Sequence, residues 1–289
     1  MISFRYHLVS IAAVLMALAA GIALGAGPLD DNTVLSGDDG AGSSADPAIA
    51  RFESGYAART SGALLKDVLK GRSVVVLTLP GARTEETKDI RAGIEKAGAD
   101  VTGEVQLTGK LVDPANRQFA EGVAQQSASD VKGVTDAGES YGRIGAALGR
   151  SVLGDRGKNL DTTATTISSA FDEGQLLNYA AKPEKFADLA LVVSGPGRAG
   201  DSGSVAAQLA KAIDGYGGGA VLAGPSTSSQ DGGVLAALRD SDAASQVSTV
   251  DVTDTAAGRV VVSLALAREA KGQSGSWGTS RSADGSVPR

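Results

Sequence analysis

The sequence predicts an α/β protein with a single N-terminal transmembrane helix, followed by an open, mainly parallel, Rossmann-like sheet with a helical insertion. Two patterns support this prediction. Short apolar runs alternate with helical segments over most of the chain, which is typical of parallel sheets covered by helices. Ahead of them lies a run of 19 uncharged residues from Leu8 to Ala26. As a helix this run would be roughly 28 Å long, close to the ~30 Å hydrocarbon core of a bilayer.

The residues that flank the apolar run predict its orientation. Arg5 and His7 precede the run, whereas Asp30 and Asp31 follow it. Because basic residues stay on the cytoplasmic side of a membrane, we expect a cytoplasmic N-terminus and an extracytoplasmic C-terminal domain. Residues 1–27 are therefore the expected flank and anchor of a single-pass cell-membrane protein, with His7 at the level of the lipid headgroups.

A cleaved signal peptide is the alternative interpretation of this run. Ala17, Leu18 and Ala19 match a small-residue cleavage site. The apolar run continues beyond that site and exceeds the about 7–15 residues of a secretory apolar region. Its length therefore favours a retained anchor.

One face of the predicted anchor carries small residues. Ala13, Ala17, Gly21 and Gly25 recur every four residues, a spacing that lets two helices approach closely in lipid. The stripe predicts helix–helix contact with a second copy of the chain or with a second membrane protein. The abundance of glycine, 39 of 289 residues, is the alternative explanation.

Two segments are expected between the anchor and the sheet. Residues 28–46 are rich in Gly, Ser and Asp and predict a flexible linker. Residues 47–71 predict an amphipathic helix, which we expect to pack against its own domain, with a short coiled-coil stalk as the alternative. Its apolar residues at three- and four-residue spacing are Ile49, Phe52, Tyr56, Ala63, Leu64 and Val68.

Residues 72–272 predict the extracytoplasmic α/β domain. Val74 to Leu79 form a continuous apolar run, typical of a strand buried on both faces. With a helix at 84–97 and a strand at 101–108, this run predicts a βαβ unit. Further strands are predicted at 189–194, 219–223 and 247–251, and further helices at 114–127, 141–153, 162–180, 204–213, 233–239 and 255–271. The last helix contains three consecutive valines, 260–262, which would also suit a strand. Residues 273–289 are rich in Ser and Gly and predict a disordered tail.

Composition excludes several classes of function. The net charge of −6 and the absence of a basic patch argue against nucleic-acid binding. The chain has no cysteine, so disulfides and thiol catalysis are excluded. His7 is the single histidine and lies before the anchor, so the exported part has no catalytic triad and no imidazole base. We therefore expect no enzymatic activity.

A glycine motif follows the strand predicted at 189–194. Residues 195–200 read GPGRAG and match G-x-G-x-x-G between a strand and a helix, which is the setting of a nucleotide-binding turn. However, the next strand ends in Gly224 and Pro225 rather than in an acidic residue, and Pro196 has no N–H to donate. An ordinary turn is therefore expected, with no nucleotide bound.

Polar residues at predicted strand ends are the remaining candidates for a site. Gly195 and Gly197 follow one strand, and Asp251 and Asp254 follow another. Open α/β sheets bind ligands at the carboxyl ends of their strands, so these four residues are candidates to face a ligand. The alternative for Asp254 is to cap the last helix. The other carboxylates show no spacing that selects a catalytic pair.

The two ends of the chain carry the most specific pattern. An Arg and a His precede the apolar run, a Gly-Pro-Leu follows it, and a Ser-Thr-Val-Asp segment leads into the last helix. This pattern resembles the actinobacterial family named for mycobacterial copper transport protein B. The matching residues are Arg5, His7, Gly27, Pro28, Leu29, Val247 to Asp251, Thr255, Ala257, Gly258 and Leu264 to Leu266. The Gly-x-Tyr-Gly ending of the family corresponds here to Gly275-Ser276-Trp277-Gly278, with a different aromatic residue.

The resemblance implies copper transport or homeostasis in the cell envelope, with placement in the outer membrane as one implication. Copper(I) prefers thiolate and thioether ligands, and copper(II) takes imidazole. The chain offers only Met1, His7 and Met16 of these types, so copper is a cofactor by resemblance alone. One span also forms no pore without oligomerising.

A second role implied for relatives of this family is regulation of cell separation. There an anchored, non-catalytic envelope protein pairs with a second membrane protein and controls a peptidoglycan hydrolase. A tethered α/β domain without a catalytic pair suits that role. An exported hydrolase that uses carboxylates alone is the third hypothesis.

Overall fold

The computed structural model describes residues 46–288, which form a seven-stranded sheet with helices on both faces. The strand order is β3-β2-β1-β4-β5-β6-β7, and every neighbouring pair is parallel except β2 and β3. The predicted α/β fold with a mainly parallel sheet is confirmed. The strands are β1 (Ser73–Thr78), β2 (Asp100–Leu107), β3 (Leu177–Ala181), β4 (Leu189–Val193), β5 (Ala220–Ala223), β6 (Ser248–Val250) and β7 (Ser276–Trp277).

Ten α-helices are assigned in the described part of the chain. They are α1 (Pro47–Leu65), α2 (Thr84–Lys96), α3 (Gly109–Val112), α4 (Arg117–Ser127), α5 (Lys132–Thr135), α6 (Ser140–Val152), α7 (Thr162–Glu173), α8 (Asp201–Asp214), α9 (Val234–Arg239) and α10 (Ala256–Glu269). Three short 3₁₀ turns accompany them at Pro114–Asn116, Ser226–Ser229 and Asp242–Ser245.

The apolar run in β1 explains the three layers. Alternate side chains of a strand point to opposite faces. Val74 and Val76 belong to the core beneath α2 and α10, whereas Val75 and Leu77 belong to the core beneath α6 and α8. Since every residue of β1 is buried, the strand requires cover on both sides. The inserted helices between β2 and β3 supply part of that cover.

The helix predicted at 162–180 is too long by several residues. The structure ends α7 at Glu173 and places β3 at Leu177–Ala181, antiparallel to β2. Gly174 terminates the helix, and Gln175 has a positive φ of 56° that redirects the chain. The helix propensity of the residues after Glu173 favours a longer helix. Their hydrogen bonding to the edge of β2 overrides this local preference.

Helix α1 presents a different face to the protein from the one predicted. Ala57, Ser61 and Leu65 are the residues of α1 that are buried, and they pack it against α10 and α2. The larger apolar side chains of the predicted stripe point away from the protein. The helix also ends at Leu65 rather than near residue 70, because Lys66 departs from helical geometry with a ψ of 116° and Asp67 has a φ of 60°.

The tail predicted to be disordered is ordered over residues 273–288. Ser276 and Trp277 form β7, which pairs in parallel with Thr249 and Val250 of β6. Trp277 is buried among the apolar residues beneath α10. Serine- and glycine-rich composition suggests disorder, but one tryptophan and the unpaired edge of β6 order the segment.

Two carboxylates cover the amino ends of β5 and β6. Asp214 accepts a hydrogen bond from the backbone N–H of Ala220 at 2.8 Å, and Glu269 accepts one from that of Ser248 at 2.8 Å. Glu269 is only 3% exposed. Burial, with the nearby charge of Asp214, raises the pKa of Glu269 to about 7.

This raised pKa predicts that the protein loses stability as the pH rises. Between its ordinary pKa of 4.5 and about 7, Glu269 keeps its proton in the folded state and loses it in the unfolded chain. The difference in pKa of Glu269 contributes about 3 kcal/mol to the free energy of unfolding. This contribution is present in full below pH ~4.5 and is lost above pH ~7. Chemical denaturation across this range should show the decline in the native protein and a flatter profile for Glu269→Gln. The exposed-site variant Glu173→Gln should keep the native profile, and an unchanged slope in Glu269→Gln would contradict the assignment.

Candidate functional site

The four residues expected to face a ligand all lie at the carboxyl edge of the sheet. Gly195 and Gly197 follow β4, and Asp251 and Asp254 follow β6. The strand order reverses between β1 and β4. In open α/β sheets this switch point is where ligands usually bind. The four residues therefore lie at the edge of the sheet where a ligand site is expected.

The switch point is closed by backbone contact. A Cβ atom added to Gly195 would lie 2.4 Å from the carbonyl carbon and oxygen of Gly81, in the loop after β1. The amide of Gly197 donates to the hydroxyl of Thr227 at 3.1 Å. Both glycines therefore serve contacts between loops, as a structural turn requires.

Asp251 forms a buried ion pair. Its Oδ2 lies 2.6 Å from Nη1 of Arg239, and the two side chains are 0% and 3% exposed. Its Oδ1 accepts the backbone N–H of Thr279 at 2.7 Å, and Oδ2 accepts the hydroxyl of Ser280 at 2.7 Å. Burial acts to raise the pKa of Asp251, but the hydrogen bonds from Ser280, Thr279 and Arg239 outweigh it and lower that pKa.

Arg239 organises this end of the sheet and was not foreseen from the sequence. It is the last residue of the short helix α9, and its Nε donates to the hydroxyl of Thr249 at 2.8 Å. It also contacts the hydroxyl of Ser280 and the carbonyl of Trp277. An arginine at a helix end is common on protein surfaces, so nothing local in the sequence signals this buried role.

Asp254 makes a different contact from either one expected. Its carboxylate accepts the backbone N–H of Ser226 at 3.2 Å and the hydroxyl of Ser226 at 2.7 Å. The cap of α10 is Thr255, whose hydroxyl accepts the N–H of Gly258 at 3.0 Å. The expectation that Asp254 caps the last helix was wrong, because Thr255 occupies that position. Asp254 instead ties the loop after β6 to the loop after β5.

A groove of about 1110 Å³ lies away from this edge, over α5, α6 and α8. Its basic side chains are already paired. Lys211 lies 2.5 Å from Asp242, and Arg150 lies 2.6 Å from Asp161. The groove therefore offers no free cation to an acidic ligand.

The chemistry available between residues 46 and 288 is limited. This part of the sequence has no His, Cys or Met. Its acidic side chains form no group of three or more that is arranged to hold a metal ion. None of its helices combines the length and apolar character that crossing a membrane requires.

The residues expected to set membrane topology and helix contact lie outside the described part of the chain. They are Arg5, His7, Ala13, Ala17, Gly21 and Gly25. The expected anchor, 1–27, and almost all of the linker, 28–46, lie outside it as well.

Comparison with known families explains the pattern at the two ends of the chain. Residues 1–288 match the family model described as "Copper transport outer membrane protein, MctB". The chain belongs to the MctB family. The resemblance inferred from the sequence is therefore confirmed.

Curated members of the MctB family are similar over almost their whole length. The protein named "Copper transporter MctB" of Mycobacterium leprae (strain TN) is 28% identical over 292 residues, covering 92% of each chain. The proteins of the same name from Mycobacterium bovis (strain ATCC BAA-935 / AF2122/97) and Mycobacterium tuberculosis (strain ATCC 25618 / H37Rv) are each 29% identical over 297 residues, with the same coverage.

The buried ion pair predicts that Asp251→Asn releases the C-terminal segment. Removing one partner leaves the charge of Arg239 buried and unpaired, which costs about 3–5 kcal/mol. Trp277 is the single tryptophan, so its fluorescence reports the release directly. We expect a red-shifted emission and faster amide exchange across residues 276–284.

Asp254→Asn is the matched control for this prediction, because Asp254 also lies after β6 but its hydrogen bonds are solvent-exposed. Its loss should cost less than about 1 kcal/mol and leave the tryptophan emission unchanged. Equal emission spectra for Asp251→Asn and the native chain would show that the ion pair does not hold β7.

Proposed function

We propose that this member of the MctB family is a membrane-anchored envelope protein that takes part in copper handling. The observation that carries the proposal is the family match over residues 1–288, together with relatives that are named copper transporters. The uncharged run from Leu8 to Ala26 supports a single anchor with the N-terminus in the cytoplasm and the α/β domain outside.

The α/β domain contributes to this function without binding the metal, because its donor atoms do not suit copper. Copper(I) selects thiolate and thioether sulfur, and copper(II) accepts imidazole. Residues 46–288 contain none of these groups, and the thioether and imidazole donors of the chain are Met1, His7 and Met16. We therefore propose that direct contact with copper, which is the cargo here, is confined to the N-terminal segment or to a partner protein.

We also propose that the domain is not catalytic. Asp251 is used in an ion pair, and Asp254 in a loop contact. The described part of the chain contains no imidazole or thiol that could act as a base. This proposal accords with a positioning role for the domain.

A deletion strain tests the copper function. We expect growth to fail at copper concentrations that the parent tolerates, and the native gene to restore it. A gene carrying both His7→Gln and Met16→Leu should restore growth only partly, because imidazole and thioether donors are removed. Val14→Leu, a change within the same apolar run that removes no donor, is the control and should restore growth fully. Unchanged copper tolerance in the deletion strain would contradict the proposal.

Regulation of peptidoglycan hydrolysis and cell separation is the second candidate function. The observation that favours it is the closed carboxyl edge, where the chain's own loops and C-terminal segment fill the usual ligand position. A domain without an open catalytic site suits a scaffold that binds another membrane protein. For this function, the deletion strain should tolerate copper normally but grow as chains of unseparated cells under the microscope.

A further inference from the structure

Helix α1 carries a row of large apolar side chains on the surface of the protein. Ile49 is 63% exposed, Phe52 is 75% exposed and Tyr56 is 62% exposed. The rings of Phe52 and Tyr56 stack on each other with centroids 6.4 Å apart. Ala63, also exposed, extends the row by two further turns. These four residues are called the α1 stripe below.

The α1 stripe is held outward by contacts on the opposite side of the helix. Ala57, Ser61 and Leu65 are buried against the domain. Ser61 accepts a hydrogen bond from Lys96 of α2 at 2.9 Å, and Glu53 accepts the backbone N–H of Ala257 in α10 at 2.7 Å. The helix therefore cannot turn the stripe inward without breaking these contacts.

Aromatic residues are scarce in this protein, which makes their exposure informative. The whole chain has five Phe, five Tyr and one Trp, and two of these stand side by side in solvent on α1. Clustered, exposed aromatic residues are enriched where proteins bind one another. We take the stripe as an interaction surface.

We propose that the α1 stripe pairs, in parallel, with the α1 stripe of a second copy of this chain. Ile49, Tyr56 and Ala63 recur every seven residues, and Phe52 lies three residues after Ile49. This is the a and d spacing of a two-stranded coiled coil. Arg59 takes the next d position, so in the pair the two Arg59 side chains would have to direct their like charges outward into solvent.

The chain ahead of α1 favours a second copy as the occupant. Residues 28–46 separate α1 from the end of the expected anchor, and a linker of that length and of the expected Gly- and Ser-rich type spans about 24 Å. Every anchored copy would therefore carry α1 at the same linker length from its anchor, with the N-terminal end of the helix first. That arrangement brings identical stripes together in register, as a two-fold contact requires.

Charge does not select a different occupant. The charged residues within α1 are Arg51, Glu53 and Arg59, and Glu53 is already bound to α10. Helices that lie on anionic lipid carry a polar face rich in Lys and Arg, which α1 lacks. A strongly acidic or basic partner would likewise meet few charges of opposite sign on α1.

The small size of the stripe implies that pairing needs the anchor. A fully buried aromatic side chain contributes about 150–250 Å², so two rings for each copy fall well below the ~800 Å² that each partner buries in a stable complex. Contact between two anchors, which their small-residue stripe predicts, would join the copies, and short linkers would then raise the effective concentration of α1 to about the millimolar range. We therefore expect dimers in the membrane-embedded full chain.

Cysteine cross-linking of the full-length protein tests the pairing, because the native chain has no cysteine. Ala63→Cys places a thiol on the stripe, and Ala58→Cys places one on the same helix outside it; both positions are exposed. With a short bis-maleimide in native membranes, Ala63→Cys should form covalent dimers and Ala58→Cys should not. Adding Phe52→Ser and Tyr56→Ser to Ala63→Cys should abolish the dimer.

The remaining outcomes overturn the proposal in distinguishable ways. Equal cross-linking of the two variants would show random collision, and cross-linking of Ala63→Cys to a different protein would make that protein the occupant. No dimer from chains that pellet with membranes would exclude pairing while leaving the anchor intact. Chains that fail to pellet would remove the anchor itself, and with it both the tethered pair and the proposed membrane function.

Discussion

Burial of the central sheet on both faces decides where this protein can present a functional surface. Val74 and Val76 of β1 enter one core, while Val75 and Leu77 enter the other. If either helical layer were missing, half of the side chains of such a strand would face water. The lost hydrophobic stabilisation would be roughly 25 cal/mol for each Å² of apolar area exposed. The layers are therefore obligatory, and only the strand ends and the outward faces of helices remain for binding.

The strand ends are largely used by the fold itself. Asp214 and Glu269 satisfy backbone amides where β5 and β6 begin, and Asp251 with Arg239 secures the C-terminal segment where β6 ends. A Cβ atom added to Gly278 would lie 2.1 Å from Asp251, so the segment fits closely over the carboxylate. A buried ion pair contributes little net stability, but breaking one is costly. The pair therefore favours the C-terminal segment over any other segment at the end of β6.

The closed strand ends and the donor chemistry lead to the same view of function. The family and its named relatives connect this chain with copper, yet residues 46–288 carry no sulfur or imidazole ligand. The role proposed for the domain therefore rests on the surfaces that it presents. Helix α1 supplies such a surface, because Ile49, Phe52 and Tyr56 face solvent next to the chain that leads to the expected anchor.

The α/β fold class and the family could both be inferred from the amino-acid sequence alone. A short apolar run such as Val74 to Leu79 is typical of a strand that is buried on both faces. The residues that match the family lie in short contiguous segments near the two ends of the chain, so they can be recognised without a structure. The role of Asp251, the order of the segment around Trp277 and the outward face of α1 became evident only in the folded protein. Each depends on a partner distant in sequence: Asp251 binds Thr279, Trp277 needs the edge of β6, and α1 is fixed by Lys96 and Ala257. Periodicity and composition describe only neighbours along the chain, so they carry no information about such contacts.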